Sequence, residues 1–100
     1  MNIEIEEQNG SYIGNLIGWI DTAEASKFLE DLKPLMDNAN KRIELDCTKL
    51  EYICSLGLRG LLKLQKESHA LGGSMILTHV EGEVQKILKL TGFDRLFDIR

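Results

Sequence analysis

Residues 41–73 read KRIELDCTKLEYICSLGLRGLLKLQKESHALGG, and the hydrophobic period changes within this run. Over residues 41–47 the period is two. Ile43, Leu45 and Cys47 fall on one side and Arg42, Glu44 and Asp46 on the other, as in a strand with one covered face. After the apolar pair Tyr52-Ile53 the period lengthens to that of a helix, through Leu58, Leu61, Leu62 and Gln65, and stops at Gly72-Gly73. The junction is Cys54-Ser55-Leu56-Gly57, so Ser55 stands at a helix N-terminus.

On the N-terminal side, residues 2–6 alternate with Ile3 and Ile5 on one face, and residues 12–17 form a second apolar run. Asn9-Gly10 lies between them, and this pair readily takes positive φ, so residues 2–17 read as an antiparallel hairpin whose loop length Ser11 leaves open. Ala25, Phe28, Leu29, Leu32, Leu35 and Met36 then recur at helical spacing, which predicts a helix over 22–38 with one stripe for burial. Asp21, with Glu24 three residues on, is placed to cap it. Pro34 removes one intrahelical bond and predicts a kink at 30–34.

On the C-terminal side, Met75, Ile76 and Leu77 in residues 74–78 form a short buried-strand candidate. Val84, Ile87 and Leu88 in residues 81–90 define a last helical face ending before Gly92. Phe93, Leu96, Phe97 and Ile99 predict a docked tail with a short final strand, because a free tail would expose several large apolar groups. The whole is one α/β domain over residues 1–100: a hairpin followed by right-handed strand-helix-strand crossovers into a mixed sheet of four to five strands, with helices packed against it.

The bulk properties exclude several function classes. A hydrophobic content of 43% in 100 residues supports one modest core, and no apolar run nears the ~20 residues of a membrane span. The formal charge of -4, from 16 acidic and 12 basic side chains, offers no broad field for a phosphate backbone, so nucleic acid is not an expected partner. Residues 1–7 carry three glutamates and lack the pattern of a secretion signal, which makes a cytoplasmic location the expectation. Cys47 and Cys54, seven residues apart, match no zinc or redox motif, and His69 and His79 have no companion ligands, so neither a metal nor a cofactor is expected.

Four segments in order resemble the STAS family, named for sulfate transporters and anti-sigma factor antagonists, over nearly the full chain. Gly18-Trp19-Ile20-Asp21 resembles the Gly-x-Ile/Leu-Asp that ends the family's second strand. Ile43-Glu44-Leu45-Asp46 with Leu50-Glu51-Tyr52-Ile53 resembles its central strand, and Cys54-Ser55-Leu56-Gly57-Leu58 its Asp-Ser-Ser/Thr-Gly-Leu motif. Leu71-Gly72-Gly73-Ser74 with Leu88-Lys89-Leu90-Thr91-Gly92-Phe93 resembles the last two connections. The motif's aspartate is Cys54 here, and its second hydroxyl residue is Leu56.

The resemblance implies a non-enzymatic, antagonist-type module that binds an anti-sigma factor doubling as a serine kinase. The kinase would phosphorylate Ser55, the modified form would release it, and a serine phosphatase would restore binding. Membrane insertion is not implied, and a weak homodimer is a further state to expect. By position the partner-binding residues would be Trp19, Asp21, Thr22, Cys54, Ser55, Leu56, Gly57 and Arg59.

Each residue also has a plainer reading. Ser55 as a simple N-cap contributes ~1 kcal/mol, Asp21 already has a capping role, and Trp19 is an anchor if exposed but core if buried. Gly57 and Gly60 would admit close packing beneath the Ser55 turn. Cys54 is either a small buried thiol filling the aspartate's place or, at a helix start, a thiolate-prone redox or nucleophilic group. The competing functions are therefore a phosphorylation-controlled partner switch, a constitutive STAS subunit of a transport or signalling-scaffold complex, and an enzyme centred on Cys54.

Overall fold

In the computed structural model, which describes residues 2–100, the chain forms four strands, four helices and a 3-10 turn. The strands are β1 (Ile3–Gln8), β2 (Ser11–Ile20), β3 (Arg42–Ile53) and β4 (Ser74–Thr78), in the spatial order β1-β2-β3-β4. β1 runs antiparallel to β2, and β2, β3 and β4 are mutually parallel. The helices are α1 (Thr22–Asp31), α2 (Lys33–Met36), α3 (Ser55–Ala70) and α4 (Gly82–Thr91).

The hairpin turn has two residues, since Gln8 pairs with Ser11. Asn9 and Gly10 take φ of 52° and 82°, the mirror-image turn that Asn-Gly favours. β2 runs to Ile20, three residues beyond the expected hairpin limit, because its second half pairs with β3.

β3 is also longer than the period-two pattern suggested, and its buried positions explain why. Ile43, Leu45 and Cys47 are two apart, but Leu50 and Ile53 follow at steps of three. The register against β2 slips at the same places: Asn15 and Ile17 face Asp46 and Lys49, while Gly18 and Trp19 face Leu50 and Tyr52. Each slip puts one extra residue into β3, a bulge that resets which face is covered.

The predicted 22–38 helix is split. Leu32 closes α1, and Pro34 sits in the first turn of α2, where its missing N–H costs nothing. The interruption is therefore a break with a short second helix in place of a kink in one rod. The end of α3 is as expected: Gly72 is left-handed at φ 78°, and the amides of Gly73 and Gly72 donate to the carbonyls of Ser68 and His69 at 2.8 and 3.2 Å.

One face of the sheet carries Ile3, Leu16, Ile43, Leu45, Met75 and Leu77, which merge with Phe28, Leu35, Leu58, Leu61, Leu64, Val84 and Leu88 of the helices in a single core. The opposite face, with Glu4, Glu6, Asn15, Glu44 and Asp46, is exposed or half-buried. Leu29, placed on the buried stripe by its spacing, is 40% exposed.

The tail docks beside β4. Leu77 donates to the Asp98 carbonyl and accepts from the Arg100 amide, each at 2.8 Å, and the Gln65 side-chain amide donates to the Leu96 carbonyl. Phe97 is buried and stacks on Phe93. The fifth strand reduces to one parallel bridge between Leu77 and Ile99, so the sheet proper has four.

Candidate functional site

The ends of β2 and β3 and the starts of α1 and α3 meet at one end of the sheet. Ile20 pairs with Ile53, and the Cys54 amide donates to the Ile20 carbonyl at 2.8 Å, so the two strands release their chains side by side. Asp21 then caps α1, its Oδ1 accepting from the Glu24 amide at 3.1 Å. Thr22 begins that helix and is exposed.

Ser55 is the first residue of α3, not its cap. The cap is Cys54, in an extended conformation and with no side-chain capping bond. A thiol is a poor substitute for the oxygen that usually satisfies the first amides of a helix. The simple N-cap reading of Ser55 thus moves one residue back, and the Ser55 side chain is left exposed at the first turn, which holds no acidic residue.

Cys54 is 8% exposed, and the helix packs down over the strand end. Gly57 makes this approach feasible: a β-carbon there would stand 2.7 Å from Ile53 Cγ1 and 3.0 Å from Ile53 Cδ1. Cys54 and Gly57, both proposed from sequence as partner contacts, therefore lie under the surface and shape it from below.

Trp19 is 55% exposed and stacks on Tyr52, with ring centroids 4.6 Å apart and planes 20° from parallel. The second bulge of β3 brings Tyr52 opposite Trp19. Leu56, 44% exposed, and Arg59, also exposed, lie on α3 beyond Ser55. With Leu29, Leu32 and Met36 of the first two helices and Gly60 and Lys63 of α3, they line a groove of about 310 Å³. Reading for a motif missed this groove. Leu29 carried its signal, as an apolar residue at helical spacing that the core does not use.

Arg59 and Lys63 belong to none of the ion pairs formed among the described residues. His69 lies in the last turn of α3, and His79 Nδ1 lies 3.3 Å from Asp46 Oδ1 after β4, remote from each other in the topology. Among the described residues no three His, Cys, Asp or Glu side chains converge as a metal site would require. No helix among them is long and apolar enough to cross a membrane.

The family model for the STAS domain matches residues 2–100. The chain belongs to the STAS family. BtrV of Bordetella bronchiseptica, described as a candidate anti-sigma factor antagonist, is 27% identical over 99 residues, which are 99% of this STAS domain and 85% of that protein. The crystal structure of a candidate anti-sigma factor antagonist from Thermotoga maritima superimposes with a TM-score of 0.83 at 20% identity, covering 97% of this chain and 84% of that one. The Bacillus cell-fate determinant SpoIIAA in its phosphorylated form gives 0.71 at 16% identity, covering 98% and 90%. At these identities the structural matches speak for the fold.

Proposed function

We propose that this STAS domain is an antagonist-like protein-binding module of a partner-switching pathway, acting in the cytoplasm and without catalysis of its own. Its partner would be an anti-sigma factor of the serine-kinase type, and the switch would be reversible phosphorylation of Ser55. The observation that carries this reading is the exposed Ser55 at the first position of α3, followed by the exposed apolar side chain of Leu56, with the exposed Trp19 near the end of the neighbouring strand β2. The likeness to BtrV supports the same role.

Physically, the seryl oxygen would take the terminal phosphoryl group of ATP held by the kinase and give up its proton, with ADP leaving. The phosphate adds about -1.5 to -2 charges and three acceptor oxygens at a helix start whose free amides favour anions, so the fold itself would tolerate it. A partner packed over Ser55 would have to bury that dianion, and an unpaired buried charge costs several times the ~1.4 kcal/mol that weakens binding tenfold.

The test is binding of the unmodified protein, Ser55→Ala and Ser55→Asp to the cognate kinase, together with mass spectrometry after incubation with ATP. Phosphate on Ser55 and weaker binding of the Asp form are expected. Phosphate elsewhere, with none on Ser55, sinks the switch.

Cys54 and Leu56, in place of the motif's acid and second hydroxyl, favour a second reading: a constitutive subunit of a transport or signalling-scaffold complex. In that case the Ser, Ala and Asp forms would bind their partner equally.

A further inference from the structure

We propose that Arg59 is the cation that reads the modification state of Ser55. It stands free on the groove rim while Ser55 carries a hydroxyl, and it is drawn back along α3 onto the phosphate once that group is added. This rests on the phosphorylation reading and deepens it by assigning the residue through which the phosphate acts.

Ser55 and Arg59 are the first and fifth residues of α3 and are both exposed. Residues four apart share a helix face, and helical side chains lean toward the N-terminus, so the long side chain of Arg59 is within reach of a group added to Ser55. A guanidinium can grip two phosphate oxygens at once, which makes this the strongest pairing available at that spacing.

Competition for Arg59 is weak. It enters none of the ion pairs or side-chain hydrogen bonds formed among the described residues. The first turn of α3 holds no acid, and the position that carries the motif's aspartate is Cys54, which is not a carboxylate. The nearby carboxylate of Asp21 already accepts from the Glu24 amide.

Arg59 and Lys63, on successive turns, edge the groove whose floor is Leu29, Leu32 and Met36. In a chain with four more acidic than basic side chains (16 against 12), two unpaired cations beside an apolar floor suit an acidic partner segment. Capture of Arg59 by phosphate removes one of the two cations and places a dianion at the mouth. A partner seated in the groove is thereby weakened even where it never touches Ser55.

The experiment installs phosphoserine at position 55 during translation, which needs no kinase, and follows the phosphate by phosphorus-31 NMR titration. The second pKa of the phosphate is expected about half a pH unit lower in the otherwise unaltered protein than in Arg59→Gln. Arg59→Lys should recover part of the difference, and Lys63→Gln should leave it in place. The Arg59 Nε resonance should also shift between the Ser55 and phosphoserine forms. Superimposable titrations of the parent and Arg59→Gln, both folded by circular dichroism, overturn the proposal. That failure would leave phosphorylation of Ser55 by the kinase untouched, just as a kinase that ignores Ser55 would leave the titration result standing.

Discussion

Gly57 lies so close to Ile53 that a β-carbon on the glycine would meet Ile53 Cγ1 at 2.7 Å, whereas one on Gly60, a turn later, would meet Leu29 Cδ2 at 2.2 Å. The shorter distance is the more forgiving. Ile53 is 1% exposed with nowhere to move, while Leu29 is 40% exposed and can swing into the groove. Replacing glycine with alanine in a helix interior is otherwise favourable by ~1 kcal/mol. Gly57→Ala should therefore destabilise by about 1–2 kcal/mol net of that gain, and Gly60→Ala should be neutral or slightly stabilising. Urea unfolding of both variants checks the ordering; equal effects would mean that α3 rides over both positions with similar slack.

Trp19→Ala separates binding from folding. Its ring is 55% exposed and stacks on Tyr52, so the loss of stability should be about 1 kcal/mol. If this face meets a partner, affinity should fall at least ~10-fold, since exposed tryptophans rank among the residues that dominate interfaces. Unchanged affinity in calorimetry would move the interface away from Trp19.

Asp46 gives the fold an acid-sensitive element. Burial pushes its carboxyl up, but bonds from the Thr48 hydroxyl and amide at 2.6 and 2.9 Å, with the His79 imidazole at 3.3 Å, outweigh this and hold it below its ordinary value. A depressed folded-state pKa contributes stability above the unfolded value of ~3.9 and loses it as pH falls through the folded one. Asp46→Asn should thus cost about 1 kcal/mol at neutral pH and almost nothing at the acid end, the two stability curves converging below pH ~3. A constant gap across that range would show that the carboxylate's charge is irrelevant.

Cys47 should be inert while the protein is folded. It is 5% exposed, and burial, reinforced by the Asp46 carboxylate, pushes its thiol up to about 12. Iodoacetamide at pH 8 should leave it unmodified in the native protein and label it after unfolding in guanidinium. Native-state labelling at the rate of a free cysteine would require local opening of β3.

How far the sequence reveals this arrangement depends on whether one residue or several decide each feature. The Asn9-Gly10 turn is readable because few other pairs accept two positive φ values in succession, and Gly72 marks a helix end for the same reason. The outer half of β3 is not readable, because two bulges turn its period of two into steps of three that resemble neither a strand nor a helix. Ser55 illustrates a boundary error of one residue. A serine looks like the natural cap and Cys54 does not, yet the backbone leaves the strand at Cys54. Leu29 shows that periodicity marks apolar faces without saying whether the core or a groove uses them.

The two extra residues in β3 have a consequence for how this surface can change over time. Deleting Thr48 or Lys49 would remove the first bulge and leave Cys47 and Leu50 two residues apart on the same face, but it would draw the Ser55 turn back by about one strand residue, ~3.3 Å. Deleting both would make Cys47 and Leu50 adjacent and interchange inside and outside for everything downstream, turning Ile53 to water and driving Tyr52 toward the core. Changes of length in this segment therefore either displace the Ser55 turn or turn the strand over, so this end of the sheet diversifies most freely by swapping side chains in place. Cys54 and Leu56, at otherwise recognisable motif positions, have the form that such a constraint leaves open.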